Sequence, residues 1–176
     1  MSVSAVHSDA PAVPRRPLYL RLALVACAVI VLDQYTKHLA LERLADGPVD
    51  IGSWLSLRLS FNPGGAFGVL SGAPGFFLAA TLVIAAVIVW WAWTAPSPSW
   101  AIPLGLILGG GLGNATDRLF RSTDGMVVDF IDLHWWPIFN VADSAIVCGV
   151  TLLLIDSYRR DRRERNERGA PEEEPP

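Results

Sequence analysis

Apolar residues along this chain fall into four long blocks rather than short alternating or amphipathic segments. The first runs from about Leu18 to Ala40, with an uncharged core from Leu22 to Leu32. The second spans Pro74 to Thr94 and ends on Trp90, Trp91 and Trp93, the aromatic residues expected at a membrane interface. The third covers Trp100 to Phe120 and the fourth Phe139 to Tyr158. Each is close to the roughly 20 residues a helix needs to cross the hydrocarbon core of a bilayer. From Leu59 to Thr116 there is no Asp, Glu, Lys, Arg or His, a stretch that a soluble domain would have to expose in part to water. Ala95-Pro-Ser-Pro-Ser99 reads as a tight turn between the second and third blocks. Leu57-Arg58-Leu59-Ser60-Phe61 alternates apolar and polar positions and predicts a strand, with Gly47-Pro48 and Pro63-Gly64-Gly65 as punctuation. The expected fold is an all-α membrane protein of four transmembrane helices with a small β-sheet on the outer face.

Charge orients this arrangement. Charged residues make up 18% of the chain against about 25% in a typical soluble domain, and apolar residues 52%. The net charge of −3 hides a strong asymmetry. Arg15, Arg16 and Arg21 precede the apolar body, and Arg159, Arg160, Arg162, Arg163, Arg165 and Arg168 follow it. An even number of spans puts both termini on one side, and their basic residues make that side the cytoplasm. The loops Glu42–Ala73 and Arg121–Ile138 then face outward. The domain plan is a cytoplasmic tail over residues 1–17, a four-span body over 18–158 and a charged cytoplasmic tail over 159–176, with both tails expected to be disordered. The basic C-terminal tail is diluted by acidic residues and adjoins a span, so no nucleic-acid partner is expected.

The first span has a basic start, but its apolar stretch runs into Asp33-Gln-Tyr-Thr-Lys37 with no small-residue cleavage site, so it reads as retained. Leu24-Val-Ala-Cys27 has the form of a lipobox, yet Cys27 is followed by more apolar sequence rather than a polar tether. Cys27 and Cys148 therefore read as small helix-packing residues. Neither zinc-type cysteine spacing nor a His-Glu-x-x-His, Gly-x-Ser-x-Gly or phosphate-loop pattern is present, and no metal or cofactor is expected.

Ionisable residues in or near spans are costly, which makes them informative. Asp33 and Lys37 are four apart in the favourable acid-before-base order and read first as a structural ion pair. The alternative is Lys37 as a general base, although no serine is placed by sequence to partner it. Asn114, Asp117 and Arg118 follow the glycine run Gly109-Gly110-Gly111 and Gly113, where helices can approach closely. Asp132 belongs to the same outward-facing group, whereas Asp156 lies by the basic end as an interfacial charge. Asp129 sits between apolar neighbours in Val127-Val-Asp-Phe-Ile131, so its pKa should rise. Asn140 and Asp143 open the fourth span, where either could be an ordinary helix cap. Taken together, two carboxylates in the same leaflet can share one proton, one acting as base on water and the other as acid. A small proton- or solute-coupled transporter, or a membrane scaffold without catalysis, are the competing readings. The acidic groups cluster near one face rather than along a path, which disfavours transport.

The motifs Asp33-Gln-Tyr-Thr-Lys37, Phe61-Asn-Pro-Gly-Gly-Ala-Phe67, Gly110-Gly-Leu-Gly-Asn-Ala-Thr-Asp-Arg118, Val127-Val-Asp-Phe-Ile131 and Phe139-Asn-Val-Ala-Asp-Ser144 occur in this order. The set resembles bacterial lipoprotein signal peptidase, or signal peptidase II, over roughly Asp33 to Ile155. The resemblance implies a four-span inner-membrane aspartic peptidase that cuts just before the diacylglyceryl-modified cysteine of a prolipoprotein. It implies Asp129 and Asp143 as the catalytic pair, with Asn62, Asn114, Arg118 and Asn140 lining the site or holding substrate backbone. By the same resemblance Asp33, Lys37 and Asp117 are supporting structural polar residues, membrane lipids are partners, and globomycin-type inhibitors are expected ligands. The segment containing Arg121-Ser-Thr-Asp-Gly125 departs from the family pattern by a few extra residues.

Overall fold

The computed structural model describes residues 16–64, 74–94 and 98–168. These form four helices, α1 (Arg16–Arg43), α2 (Pro74–Thr94), α3 (Ala101–Phe120) and α4 (Val141–Arg168). Three strands, β1 (Val49–Asp50), β2 (Ser56–Asn62) and β3 (Val127–Asp132), make an antiparallel sheet in the order β1-β2-β3. The N-terminal residues 1–15, the second half of the Phe61–Phe67 motif, most of the Ala95–Ser99 turn and residues 169–176 lie outside the described residues.

The helices run up and down, as contacts at the two ends of the bundle establish. At one end the Tyr19 hydroxyl donates to the Ala92 carbonyl at 3.1 Å, Trp91 meets Trp100 edge to face at 4.8 Å, and the Trp100 indole donates to Asp156 at 2.7 Å. At the other end the sheet packs on the last turn of α1, where Ala40 and Leu44 meet Phe130. Helix α3 is central and packs against α1, α4 and, less extensively, α2.

Burial is inverted relative to a water-soluble protein. Asp33, Lys37 and Asp117 are fully buried, while Leu24, Val83 and Leu154 are each more than 60% exposed. Polar groups inside and aliphatic side chains outside form a surface suited to lipid. Leu18–Arg43 and Val141–Arg163 are long and apolar enough to cross a membrane, and Leu78–Ala92 is a shorter apolar stretch.

Glycines set the helix spacing. A Cβ at Gly109 would lie 2.8 Å from the Ala26 carbonyl of α1, and one at Gly149 would lie 2.7 Å from the Pro103 carbonyl of α3. A Cβ at Gly110 would strike the Ala142 carbonyl at the start of α4. The glycine run of α3 therefore lies between two neighbouring helices, as small residues in membrane bundles do.

Several boundaries differ from the sequence reading. The fourth helix starts at Val141, just inside the apolar block that opens at Phe139, because Asn140 caps it, and it continues past the end of that block at Tyr158 to Arg168. Ion pairs Asp156–Arg160 at 2.7 Å and Asp161–Arg165 at 2.9 Å, acid before base at i,i+4, support that extension, so the first part of the C-terminal tail is helical. The second outer loop contains β3, which alternation missed because the strand is buried on both faces. The extra Arg121–Gly125 residues form a turn into β3, with Asp124 and Gly125 at φ 52° and 78°. Cys27 and Cys148 are both exposed on the helix surface and do not pack inside the bundle.

Replacing Gly110 by valine should destabilise the protein by about 1–3 kcal/mol through overpacking against α4. Gly75, where an added Cβ meets nothing within 4 Å, is the control. Thermal unfolding in detergent measures both, and equal melting of Gly110→Val and Gly75→Ala would remove the close-packing argument.

Candidate active site

The site begins with Lys37. Its ammonium contacts Asp33 Oδ2 at 2.8 Å, Asp117 Oδ2 at 2.9 Å and Asn114 Oδ1 at 2.9 Å. An ammonium has three donors and no acceptor, so these three partners use its full capacity. That occupancy leaves no place for Lys37 as a general base. Each carboxylate then reaches one element further. Asp33 Oδ1 accepts the Ala142 backbone N–H at 3.0 Å, and Asp117 Oδ2 accepts the Val128 backbone N–H at 3.0 Å. Ala142 immediately precedes Asp143, and Val128 immediately precedes Asp129. One buried cation thus fixes the backbone beside both candidate aspartates.

Asn114 carries the same logic to a side chain. Because Lys37 can only donate, the oxygen of Asn114 must face it, and the amide nitrogen must face the other way. That nitrogen donates to Asp143 Oδ1 at 2.8 Å. Asp143 also forms a reciprocal capping box with Asn140. The Asp143 N–H donates to Asn140 Oδ1 at 2.9 Å, and the Asn140 N–H donates to Asp143 Oδ2 at 3.2 Å. The side-chain amide of Asn140 donates to Asp129 Oδ1 at 2.6 Å, so this one residue holds both aspartates.

Asp129 is reached from the sheet as well. Asn62 donates to its Oδ2 at 2.9 Å. The pairing Leu57↔Ile131 changes to Ser60↔Asp129 across an irregularity in β2. Without that extra residue the earlier register would set Leu59 opposite Asp129 and turn Phe61 toward the site. The bulge instead brings Ser60 and Asn62 onto the face of Asp129.

Asp129, Asp143, Asn62, Asn114 and Arg118 line one cleft of about 640 Å³. Its walls include Thr81 from α2, Gly111 from α3, Ile146 and Val147 from α4, and Trp136, Pro137 and Ile138 from the segment after β3. Arg118 Nη1 donates to the Asn114 carbonyl at 3.4 Å. Burial, reinforced by the nearby Asp143 charge, pushes the Asp129 carboxyl up from the ordinary 3.8 to about 7. Asp132 lies away from this cleft. The His134 backbone N–H at 2.8 Å and the Arg58 guanidinium hold its carboxyl below the usual range. Asp156 is at the far end of the bundle with Trp100 and Arg160.

Two supporting residues escaped the sequence reading. Gln34 donates to Asp117 Oδ1 at 3.0 Å and to the Gly113 carbonyl at 3.0 Å, and accepts from Arg121 Nη2 at 2.8 Å. Arg121 Nε also donates to Asp117 at 2.9 Å. Gln34 lay inside the Asp33–Lys37 motif, which was the available signal; Arg121 lay in the atypical segment, which gave none.

Lys37→Met leaves two buried carboxylates without their cation and should cost about 3–5 kcal/mol of stability. Chemical unfolding measures this, and Lys37→Met with Asp117→Asn should recover part of the loss. A Lys37→Met protein that unfolds like wild type would remove the central role given to the ion cluster. A second expectation concerns pH. The raised Asp129 value means the folded state binds more protons than the unfolded state between about pH 4 and about pH 7. Stability from this group therefore falls as pH rises through that window, and Asp129→Asn should flatten the decline in unfolding free energy. An unchanged slope in Asp129→Asn would contradict the assignment.

Comparison with known proteins gives the family and the fold. The family described as Signal peptidase (SPase) II matches residues 25–159. The chain is 45% identical over 141 residues to the lipoprotein signal peptidase of Rhodococcus jostii, covering 77% of this chain and 71% of the relative. It is 44% identical over 160 residues to that of Mycobacterium tuberculosis, covering 86% and 76%. A solved bacterial membrane enzyme, determined by the in meso method at 2.3 Å resolution, superposes with a TM-score of 0.73 at 30% identity, covering 88% of this chain and 94% of that one. These likenesses give no support to the transporter reading. With its motifs in register and its buried polar cluster beneath two aspartates, the chain belongs to the signal peptidase II family, the lipoprotein signal peptidases.

Proposed function

We propose that Asp129 and Asp143 are the catalytic pair of this peptidase and that its substrate is a diacylglyceryl-modified prolipoprotein, cut just before the lipid-bearing cysteine. The observation that carries the reading is Asn140, whose side-chain nitrogen holds Asp129 while its backbone N–H and side-chain Oδ1 hold Asp143, so that both carboxylates face one cleft. The four helices cross the bacterial inner membrane, the sheet lies on the outer face, and both termini are cytoplasmic. The exposed aliphatic coat and the basic residues at both chain ends support that placement.

The signal helix and the diacylglyceryl group enter from the lipid, past Thr81, Gly111, Ile146 and Val147. The pair shares one proton, which rests on Asp129, where burial favours the neutral form. A water lies between the carboxylates. Ionised Asp143 takes a proton from it while its oxygen attacks the scissile carbonyl carbon. Asp129 gives its proton to the carbonyl oxygen, forming a diol. The diol collapses as Asp143 returns its proton to the departing amide nitrogen and Asp129 recovers one from a diol hydroxyl, breaking the C–N bond. Asn62 and Asn140 hold Asp129, Asn114 holds Asp143, and Arg118 is placed to bind substrate backbone carbonyls. Asp33, Lys37 and Asp117 act structurally. No metal takes part. A globomycin-type cyclic peptide would occupy the same cleft and block it.

Purified protein in lipid, incubated with a diacylglyceryl-modified prolipoprotein and followed by gel shift, tests the assignment. Wild type should cleave with or without chelator, and Asp129→Asn and Asp143→Asn should each lose at least about a hundredfold in rate, since acid–base groups contribute about 10²–10⁴-fold. Cleavage by both variants would discard the pair, and loss of wild-type activity on chelation with recovery on zinc would discard the mechanism. Wild-type activity should fall as pH rises above about 7, where Asp129 loses its proton.

A further inference from the structure

Outside the machinery described above, Asp50, Ser56, Arg58, Asp132 and His134 surround a second cavity of about 500 Å³. Ser56 Oγ lies 2.7 Å from Asp50 Oδ1 and 2.6 Å from His134 Nε2. Arg58 pairs with Asp132, yet its side chain is 54% exposed. The cavity therefore presents hydrogen-bond acceptors and donors together, two carboxylates and one guanidinium beside the Ser56 hydroxyl and the His134 ring, a lining suited to small polar groups. A bulky apolar side chain would strip water from these groups without replacing its hydrogen bonds.

The position of this cavity gives it meaning. Its walls come from the sheet and the connections beside it, and α1 to α4 contribute no lining residue. It shares Trp136, Pro137 and Ile138 with the catalytic cleft, so this segment is a partition between the two. His134 anchors the start of the partition. It adopts φ 66°, an unfavourable value for a residue with a Cβ, and is held there by its backbone N–H on Asp132 and its ring on Ser56. An apolar signal segment seated among the helices must be followed, beyond the scissile bond, by chain that leaves on the side free of helices. The second cavity lies on that side.

We propose that this cavity is the subsite for the first residues of the mature lipoprotein, on the carboxyl side of the lipid-bearing cysteine, and that it favours small uncharged polar side chains there. The inference rests on the peptidase reading above. It makes Arg58 and Ser56 specificity-determining residues outside the catalytic group.

Three substrates test it with full-length protein in lipid. Two are diacylglyceryl-modified prolipoproteins carrying either serine or leucine at the three positions after the cysteine. The third is a lipopeptide that ends as an amide at the modified cysteine. Wild type should cut the serine substrate about tenfold better in kcat/KM than the leucine substrate, within the range a few lost polar contacts give. Arg58→Gln and Ser56→Ala should narrow that ratio to about twofold or less while cutting the amide-ended lipopeptide at the wild-type rate. Equal treatment of serine and leucine by wild type, or full discrimination kept by both variants, would overturn the subsite alone. Variants slowed equally on the amide-ended lipopeptide would also overturn it, because the residues would then act on the whole site. No cleavage of any substrate by wild type would overturn the peptidase assignment and the subsite with it.

Discussion

The Lys37 ammonium, enclosed by Asp33, Asp117 and Asn114, is the interaction on which the rest of the site depends. A buried charge costs several kcal/mol to desolvate and persists only when its donors are filled and its counter-charges are held. Two carboxylates around one ammonium would leave a net negative centre, and each carboxylate needs further donors. Those donors are the Ala142 and Val128 backbone amides, together with Gln34 and Arg121. Satisfying the cluster therefore requires the first turn of α4 and the start of β3 to approach α1 and α3. The two aspartates that follow those amides are brought to one cleft as a consequence.

Close approach is possible because α3 lacks side chains where the cluster forms. A Cβ at Gly113 would lie 2.8 Å from Asp33 Oδ2, so the carboxylate occupies space that any other residue would fill. Gly110 does the same for the α4 backbone at Ala142. The glycine run and the polar cluster are one device seen from two sides: the first permits the helix separation that the second requires. This is where packing and electrostatics cannot be apportioned independently.

The four helices were legible because each coincides with a long uninterrupted apolar run, and little else produces one. The strand at β2 was legible from the alternation of Leu57 to Phe61, although the bulge between Leu57 and Ser60 breaks that period in the structure. Strand β3 was not, because both of its faces are covered and its pattern Val-Val-Asp-Phe-Ile-Asp has no period of two. Helix α4 outruns the apolar block, because hydropathy marks only the apolar part, whereas Asp156–Arg160 and Asp161–Arg165 support its continuation. The site motifs named the polar residues but not their partners. That Asn140 bridges both aspartates, and that a bulge turns Asn62 rather than Phe61 toward Asp129, depends on register and capping geometry that no single residue encodes.

The two aspartates are chemically alike and become different through their surroundings. Asp143 stands in the first turn of α4, at the positive end of the helix dipole. Asn114 and the Asn140 backbone supply further donors to it. Asp129 stands mid-strand, almost fully buried between Val128 and Phe130, with the charge of Asp143 close by. A strand offers no dipole to compensate, so burial and repulsion prevail there over the two asparagine donors. Environments of this kind make two identical residues unequal without any difference in residue type. The inequality follows from secondary structure itself: a carboxylate at a helix N-terminus facing one in a buried strand is already an unequal pair.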